Sequence, residues 1–327
     1  KPNPTVTIVN QAKAMYDGED CDYIIGIGGG SPIDVAKAVS ILATNGGKIE
    51  DYNGLELSEK PGQPLIAVNT TAGTGSEGTR AFVVTDEVRK SKMLMVDSNS
   101  LAYLAINDPT MMVGMPPALT AATGMDALTH AVEAYIGNST THGTRKDALL
   151  AVKLIFENID TAYTNGSDID ARRNMLHASY YAGCAFTKSY VGYVHAVAHS
   201  LGGEYNVPHG YANAVLLPYV LQEYGESIHK KLSKLAVAAG ICTKETPCEQ
   251  AANAFIDEIK SMKQRFGIGN TIPQIREEDI PKLAHYADKE ANPLYPVPVL
   301  MDAEELVLLE SMAISLLLNF LIVPFFK

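Results

Sequence analysis

The hydrophobic period of this chain changes once, near "GMPP" (114–117), and that change limits the folds open to it. Before it, short apolar runs alternate with helical ones: "DYIIGIG" (22–28), "SPIDVAKAVSILATN" (31–45), "PLIAVNTT" (64–71), "RAFVVTD" (80–86), "SKMLMVD" (91–97) and "LAYLAIND" (101–108). Runs of this length, separated by a helix and Gly-rich turns, predict an α/β region with a partly parallel sheet. Beyond "GMPP" the apolar residues recur at helical spacing, as in "DALTHAVEAYI" (126–136), "DALLAVKLIFENI" (147–159) and "ANAVLLPYVLQEY" (212–224). That period predicts helices alone. A chain of 327 residues is long for one core, so two domains are expected: α/β over 1–113 and all-α over 114–327. The sequence shows no internal repeat.

Two Gly-rich turns suit a phosphate. In "IIGIGGGSPID" (24–34), Gly28, Gly29 and Gly30 follow an apolar run directly, and the pattern predicts Ser31 as a helix N-cap with Pro32 at the first helical position. Asp34 falls in the same first turn. Glycines let a ligand approach the backbone, and a helix start offers free N–H groups and partial positive charge to an anion. "NTTAGTGSEGT" (69–79) also follows an apolar run and gathers hydroxyls at Thr70, Thr71, Thr74, Ser76 and Thr79. Hydroxyls bind phosphate and ribose oxygens without adding charge. Turns at the ends of successive parallel strands converge on one crevice, where nucleotides bind. Neither stretch is the G-x-G-x-x-G or Walker A pattern, and either alone also serves as an ordinary strand-to-helix turn.

Of eight histidines, three lie in "YVHAVAHSLGGEYNVPHG" (193–210). His195 and His199 are four apart on a predicted helix, so they share a face about 6 Å apart. A turn containing Gly202 and Gly203 is expected to double the chain back, with His209 opening the next helix after Pro208. Upstream, Asp126 and His130 repeat the four-residue spacing. A lone His on an apolar helix face is ordinarily a core residue; two such pairs plus a third His at a helix start point to a ligand cluster. Nitrogen and oxygen donors without thiolates suit a borderline divalent ion, Fe²⁺ or Zn²⁺, more than a purely structural zinc site.

The formal charge of −11 argues against nucleic-acid or anionic-membrane partners and leaves a small molecule as the natural one. Cys21, Cys184, Cys242 and Cys248 are scattered without a C-x-x-C pair, so no disulfide framework is indicated and a reducing cytoplasm is expected. "KPNPTVTIVN" lacks the pattern of a signal peptide. "SLLLNFLIVPFF" (315–326) is apolar but broken by Pro324 and shorter than the ~20 residues of a membrane span, so it reads as a buried helix end or added strand, with an interfacial anchor as the alternative.

"GGGSPIDVAK", "TTAGTGSEGT", "GMDALTHAVEAY" and "HAVAHSLGGEYNVPHGYANAVLLP" resemble the signature segments of the iron-containing (group III) alcohol dehydrogenases, and the likeness runs from residue 2 to about 314. The resemblance implies a Rossmann-like, dinucleotide-binding α/β domain, an all-helical C-terminal domain and a catalytic cleft between them. Position by position, it implies Asp126, His130, His195 and His209 as metal ligands and His199 as a non-ligand beside the nicotinamide. Gly29, Gly30 and Ser31 match the pyrophosphate loop; Thr70, Thr71, Thr74, Thr79 and Lys92 match further contacts to NAD or NADP. It also implies a homo-oligomer, and several dozen residues ahead of Lys1 that carry the first strands and the acidic residue facing the adenosine ribose. On that basis 1–113 lacks those strands, and 315–327 would be free to cover the open sheet edge. Gly78 stands where the family has a larger apolar residue, which is expected to loosen the second loop. His142 has no matching role and is expected at the surface.

Within the family, "VNTTAGTGSE" and "TAATGMDALTHAVEAY" most resemble 1,3-propanediol dehydrogenases. The expected reaction is metal-dependent hydride transfer between NAD(P) and a small primary alcohol or diol or its aldehyde, such as 1,3-propanediol and 3-hydroxypropionaldehyde. The metal would act as Lewis acid on the substrate oxygen, and His199 would relay the proton. Three alternatives stand beside it: a zinc enzyme of glycerol dehydrogenase type, an inactive metal-holding relative, and a metal-dependent hydrolase, which has no need of the two phosphate-type turns.

Overall fold

Strand-forming residues at 24–28 and 65–69 pair in parallel, and this pairing brings the two Gly-rich turns side by side. The computed structural model describes residues 3–312; the apolar stretch 315–326 and the edge-covering role expected of it lie outside the described residues. The first part runs α1 (Val6–Gly18), β1 (Ile24–Gly28), α2 (Gly30–Asn45), β2 (Gly54–Leu55), β3 (Leu65–Asn69), β4 (Ala81–Asp86), β5 (Ser91–Val96) and β6 (Leu104–Ile106). One sheet has the order β1-β3-β6, all parallel, with Gly28 level with Asn69. The other has the order β2-β5-β4, in which β2 runs parallel to β5 and β4 antiparallel to it. The partly parallel α/β arrangement is as expected, divided between two three-stranded sheets.

Period-2 alternation gives the β4–β5 hairpin two unlike faces. Phe82, Val84, Met93 and Met95 point inward onto Val9 of α1 and Ala38, Ile41 and Leu42 of α2, forming a buried core. The intervening Ala81, Val83, Thr85, Lys92, Leu94 and Val96 line a cavity on the other side. A register slip of one residue would exchange the two sets.

The remainder is helical: α3 (Pro117–Ile136), α4 (His142–Thr164), α5 (Ile169–Ser189), α6 (Tyr193–Tyr205), α7 (His209–Tyr224), α8 (His229–Ala238), α9 (Cys248–Arg265), α10 (Ile280–Ala291) and α11 (Ala303–Met312). α3 carries buried residues on every face from Gly124 to Ile136, because it is packed by α4, α5 and α7 at once. A helix apolar all round belongs at the centre of a bundle. Side-chain oxygens of Thr141 and Asp168 accept bonds from the first-turn amides of α4 and α5 and fix where those helices begin. His142 is exposed, as expected.

Two local expectations are corrected. Ser31 is not the cap of α2: the N-cap is Gly29, Gly30 is the first helical residue, Pro32 the third, and no side chain caps the helix. The helix starts among the glycines because bare backbone is needed there. A Cβ on Gly29 would lie 2.8 Å from the Thr71 side chain, and one on Gly30 2.7 Å from that of Thr74. Gly202 and Gly203 do not make the turn either; they lie inside α6, and the chain reverses at Asn206, which is left-handed at φ 56°, ψ 32°. These glycines admit a neighbour instead. A Cβ at 202 would sit 2.8 Å from Cε of Lys92, and one at 203 would sit 3.0 Å from the Lys90 carbonyl.

Gly75 is left-handed at φ 58°, and a Cβ there would meet the Ser179 carbonyl at 2.6 Å, whereas Gly46, at φ 74°, faces open space. Gly75→Ala should therefore cost about 3 kcal/mol and Gly46→Ala about 1 kcal/mol, the second figure being backbone strain alone. Urea unfolding measures both, and equal midpoints would contradict the close contact at 75.

Candidate active site

Because α3 is buried on all sides, its polar residues must satisfy one another or their neighbours. Asp126, His130 and Glu133 follow at i, i+4 and i+7, on one face turned towards α6 and α7. His195 of α6 and His209 at the start of α7 complete a group in which one ligand atom from each of Asp126, His130, His195 and His209 lies within 4.8 Å of all the others. Asp126 Oδ1 is 3.5 Å from His209 Nε2, 3.8 Å from His195 Nε2 and 4.0 Å from His130 Nδ1. The His130 ring is stacked between Phe186 and His195, with centroids 4.3 Å away on each side.

The protonation states suit a cation. Burial opposes charge on Asp126, but His130, His209 and His195 outweigh it and hold the carboxyl well below the usual carboxylate range. Burial pushes His130 down to about 3, and it pushes His209 well below its ordinary value, with Asp126 opposing in both cases. Both rings are thus neutral with lone pairs available. Nδ1 of His130 is buried without a hydrogen-bond partner. His195 goes the other way: burial opposes its charge, yet bonds to Asp126 and Glu133 raise it to about 9. A buried anionic oxygen beside the neutral imidazoles of His130 and His209 fits a borderline divalent ion such as Fe²⁺ or Zn²⁺, whose binding would release the proton His195 otherwise carries.

Several residues outside the predicted set support the cluster. Glu133 Oε2 lies 2.5 Å from His195 Nδ1, while its Oε1 accepts the Val194 amide at 2.8 Å, so one carboxylate orients a candidate ligand and caps the first turn of α6. The Asn213 amide donates to Asp126 Oδ1 at 2.7 Å. His199, which is not among the four, is stacked on His209 at 5.1 Å, with Nδ1 2.7 Å from Glu290 Oε1; Tyr295 donates to that same oxygen. Glu133 and Asn213 were within reach of a spacing argument, as i+7 from Asp126 and i+4 from His209. Glu290 and Tyr295, more than ninety residues from His199, carried no such signal.

The two loops face the same space. A cavity of about 180 Å³ is lined by Gly30, Ser31, Asp34, Thr74, Thr79 and Lys92 together with His130, His195, His199 and His209. Gly29, Thr70 and Thr71 are not in this lining; Gly29 packs on Thr71, and the Thr70 amide donates to the Gly28 carbonyl at 3.0 Å. Asp34 lines the wall, but both its oxygens are engaged, by Ser76 Oγ at 2.7 Å and the Val83 amide at 3.1 Å. Beside it the buried Lys37 ammonium donates to Ser76 Oγ, to both oxygens of Thr79 and to the Ala81 carbonyl, at 2.8–3.1 Å. Burial lowers Lys37 to about 8 against the pull of Asp34 and Glu77. At Gly78 there is no gap: a Cβ would lie 2.9 Å from the Tyr180 ring, which packs over the loop.

A nucleotide-type crevice opening onto a His₃Asp cluster defines a metal-dependent oxidoreductase. Comparison with known proteins narrows the class. Residues 1–109 match the family model described as "Iron-containing alcohol dehydrogenase", and residues 120–313 match "Fe-containing alcohol dehydrogenase family, C-terminal". The chain is 44% identical over 303 residues to alcohol dehydrogenase 4 of Schizosaccharomyces pombe, covering 90% of this chain and 71% of that protein. It is 43% identical over 294 residues to the 1,3-propanediol dehydrogenase of Klebsiella pneumoniae, covering 89% and 76%. With the NAD-dependent methanol dehydrogenase of Bacillus methanolicus it shares 40% identity over 289 residues, covering 88% and 76%. A crystal structure of 1,3-propanediol oxidoreductase superposes with a TM-score of 0.91 at 41% identity, over 96% of this chain and 82% of that one. The chain belongs to the iron-containing alcohol dehydrogenase family.

Glu133→Gln should weaken Fe²⁺ or Zn²⁺ binding roughly 10- to 100-fold, because it loosens His195 without removing a ligand. Chelator competition measures this, with His142→Ala as the surface control. Wild-type affinity in the Gln variant would remove Glu133 from the site.

Proposed function

We propose that the protein catalyses reversible hydride transfer between NAD(P) and a small primary alcohol or diol, with 1,3-propanediol and 3-hydroxypropionaldehyde as the physiological pair. The observation that carries this reading is that the His₃Asp cluster and both Gly-rich loops open onto one cavity. The relatives named for 1,3-propanediol and for NAD-dependent methanol oxidation support the substrate class and the cofactor.

Each part of the cavity has a task. The first-turn amides of α2, at Gly30 and Ser31, and the positive end of that helix bind the pyrophosphate. Thr74 offers its hydroxyl to the cavity, Thr79 lines it with a hydroxyl already bonded to Lys37, Thr70 and Thr71 lie outside the lining, and Lys92 adds a cation. Burial lowers the Lys92 pKa, while Glu290, Asp126 and Asp34 oppose that shift. Asp34, having no free oxygen, holds the second loop against α2 rather than touching the cofactor. Asp126, His130, His195 and His209 would hold the divalent ion, whose Lewis acidity stabilises negative charge on a substrate oxygen.

His199 moves the proton. Its ring faces the cavity, its Nδ1 is bonded to Glu290, and the Glu290 side chain is 20% exposed, so the pair leads from the buried site towards water. During alcohol oxidation the hydroxyl proton passes to His199 and onward through Glu290; aldehyde reduction reverses the path. The same reading makes the enzyme a cytoplasmic homo-oligomer, dimeric or larger. Its cysteines are unpaired, and among the described residues no helix is long and apolar enough to cross a membrane.

After anaerobic loading with Fe²⁺ or Zn²⁺, the protein should oxidise NADH or NADPH with small aldehydes and lose that activity on chelation. His199→Ala, at full metal content, should lower kcat by about 100-fold and flatten one limb of the pH–rate profile. Unchanged kinetics would exclude the relay, and ester hydrolysis without nicotinamide would overturn the dehydrogenase reading.

A further inference from the structure

Tyr190 has a backbone conformation that glycine alone adopts without strain. It closes α5 at φ 62°, ψ −175°. Asn206 also has positive φ but sits in the ordinary left-handed well, which a short polar side chain tolerates. The Tyr190 region is different: non-glycine residues enter it only where their surroundings over-determine it, and such residues gather at ligand clamps and active sites.

The surroundings do hold it. The Tyr190 amide donates to the Phe186 carbonyl at 2.7 Å. Arg80 Cζ lies 5.9 Å from the centre of the Tyr190 ring, while Nε of Arg80 bonds the Thr187 carbonyl and Nη1 bonds Glu56. Two residues on, Gly192 passes so near Glu133 that a Cβ would lie 2.8 Å from Oε1, and α6 then begins with His195 in its first turn. The linker 190–192 is therefore pinned between the end of α5 and the ligand-bearing helix. Glycine at 190 would meet every one of these backbone demands. The chain instead places a phenol ring there, and that ring lines the same cavity as His130, His195 and His209.

We infer that Tyr190 is a specificity-determining residue: with Phe186, Val191 and Leu94 its ring forms the apolar wall of the substrate cavity and sets the longest alcohol chain admitted. This rests on the proposed dehydrogenase function. The ring bounds the cavity that the histidines also line, and a longer aliphatic chain would need the volume the ring occupies.

The test uses the full chain loaded with metal and NAD, and compares Tyr190→Gly, Tyr190→Ala and Tyr190→Phe. Gly and Ala should each raise the ratio of kcat/KM for 1-hexanol to that for 1-propanol by about tenfold or more, since each methylene gained in an apolar pocket is worth roughly that factor. Phe, which keeps the ring, should retain the wild-type preference. Stability should divide the variants differently: Gly relieves the strain and melts above Ala. Binding is read without turnover, as the rise in Tm given by 1-hexanol, expected to be larger in the Gly and Ala variants than in the wild type. An unchanged hexanol-to-propanol ratio, or equal hexanol-induced Tm shifts, would overturn the inference while an active wild type left the dehydrogenase reading standing. A loaded wild type that oxidises no alcohol would sink that reading, and the Tm comparison would still decide the role of Tyr190.

Discussion

The contact between Glu133 and His195 organises the helical region and the chemistry together. A carboxylate on a buried stretch of helix must find donors, and Glu133 finds two at once: the Val194 amide at the start of α6 and Nδ1 of His195. That single group sets where α6 begins, which way His195 points and how closely Gly192 approaches α3. The rest of the candidate cluster is built around it. Asp126 and His130 occupy the same face of α3, and His209 is delivered by the reversal that follows α6.

A second buried charge does the corresponding work in the α/β part. Lys37 has four acceptors around its ammonium, all from the second Gly-rich loop or the first residue of β4, and Asp34, three residues earlier on α2, grips the same loop from beside it. The pair ties the loop and the start of β4 to α2 through five hydrogen bonds. The stretch "SPIDVAK" thus contributes less to holding a ligand than to holding the part that does.

How much of this was legible in the chain follows from the range of the interactions. Spacing on a helix is local, so Asp126 with His130 and His195 with His199 were readable, as were two Gly-rich turns after apolar strands. The start of α2 was misplaced by two residues because its cause, contact with Thr71 and Thr74, lies some forty residues away. Gly202 and Gly203 were misread for a related reason: glycine marks both chain reversal and close approach, and only the position of β5 tells which applies. Glu290 and Tyr295 reach His199 from α10 and the segment after it, a proximity that no local pattern encodes. Tyr190 was invisible altogether, since a tyrosine in a sequence gives no sign of the dihedral angles forced upon it.

The notch in α6 at Gly202 has a consequence for the two halves of the molecule. Lys92 belongs to a strand of the nucleotide-type part, yet its aliphatic stem lies in a groove cut into the helix that bears His195 and His199. A methyl group at 202 would displace the end of the Lys92 side chain, and one at 203 would press on the Lys90 carbonyl just before that strand. The close approach of the two halves at this point is thereby set by atoms the protein leaves out, and their alignment becomes a matter of steric contact rather than of any bond.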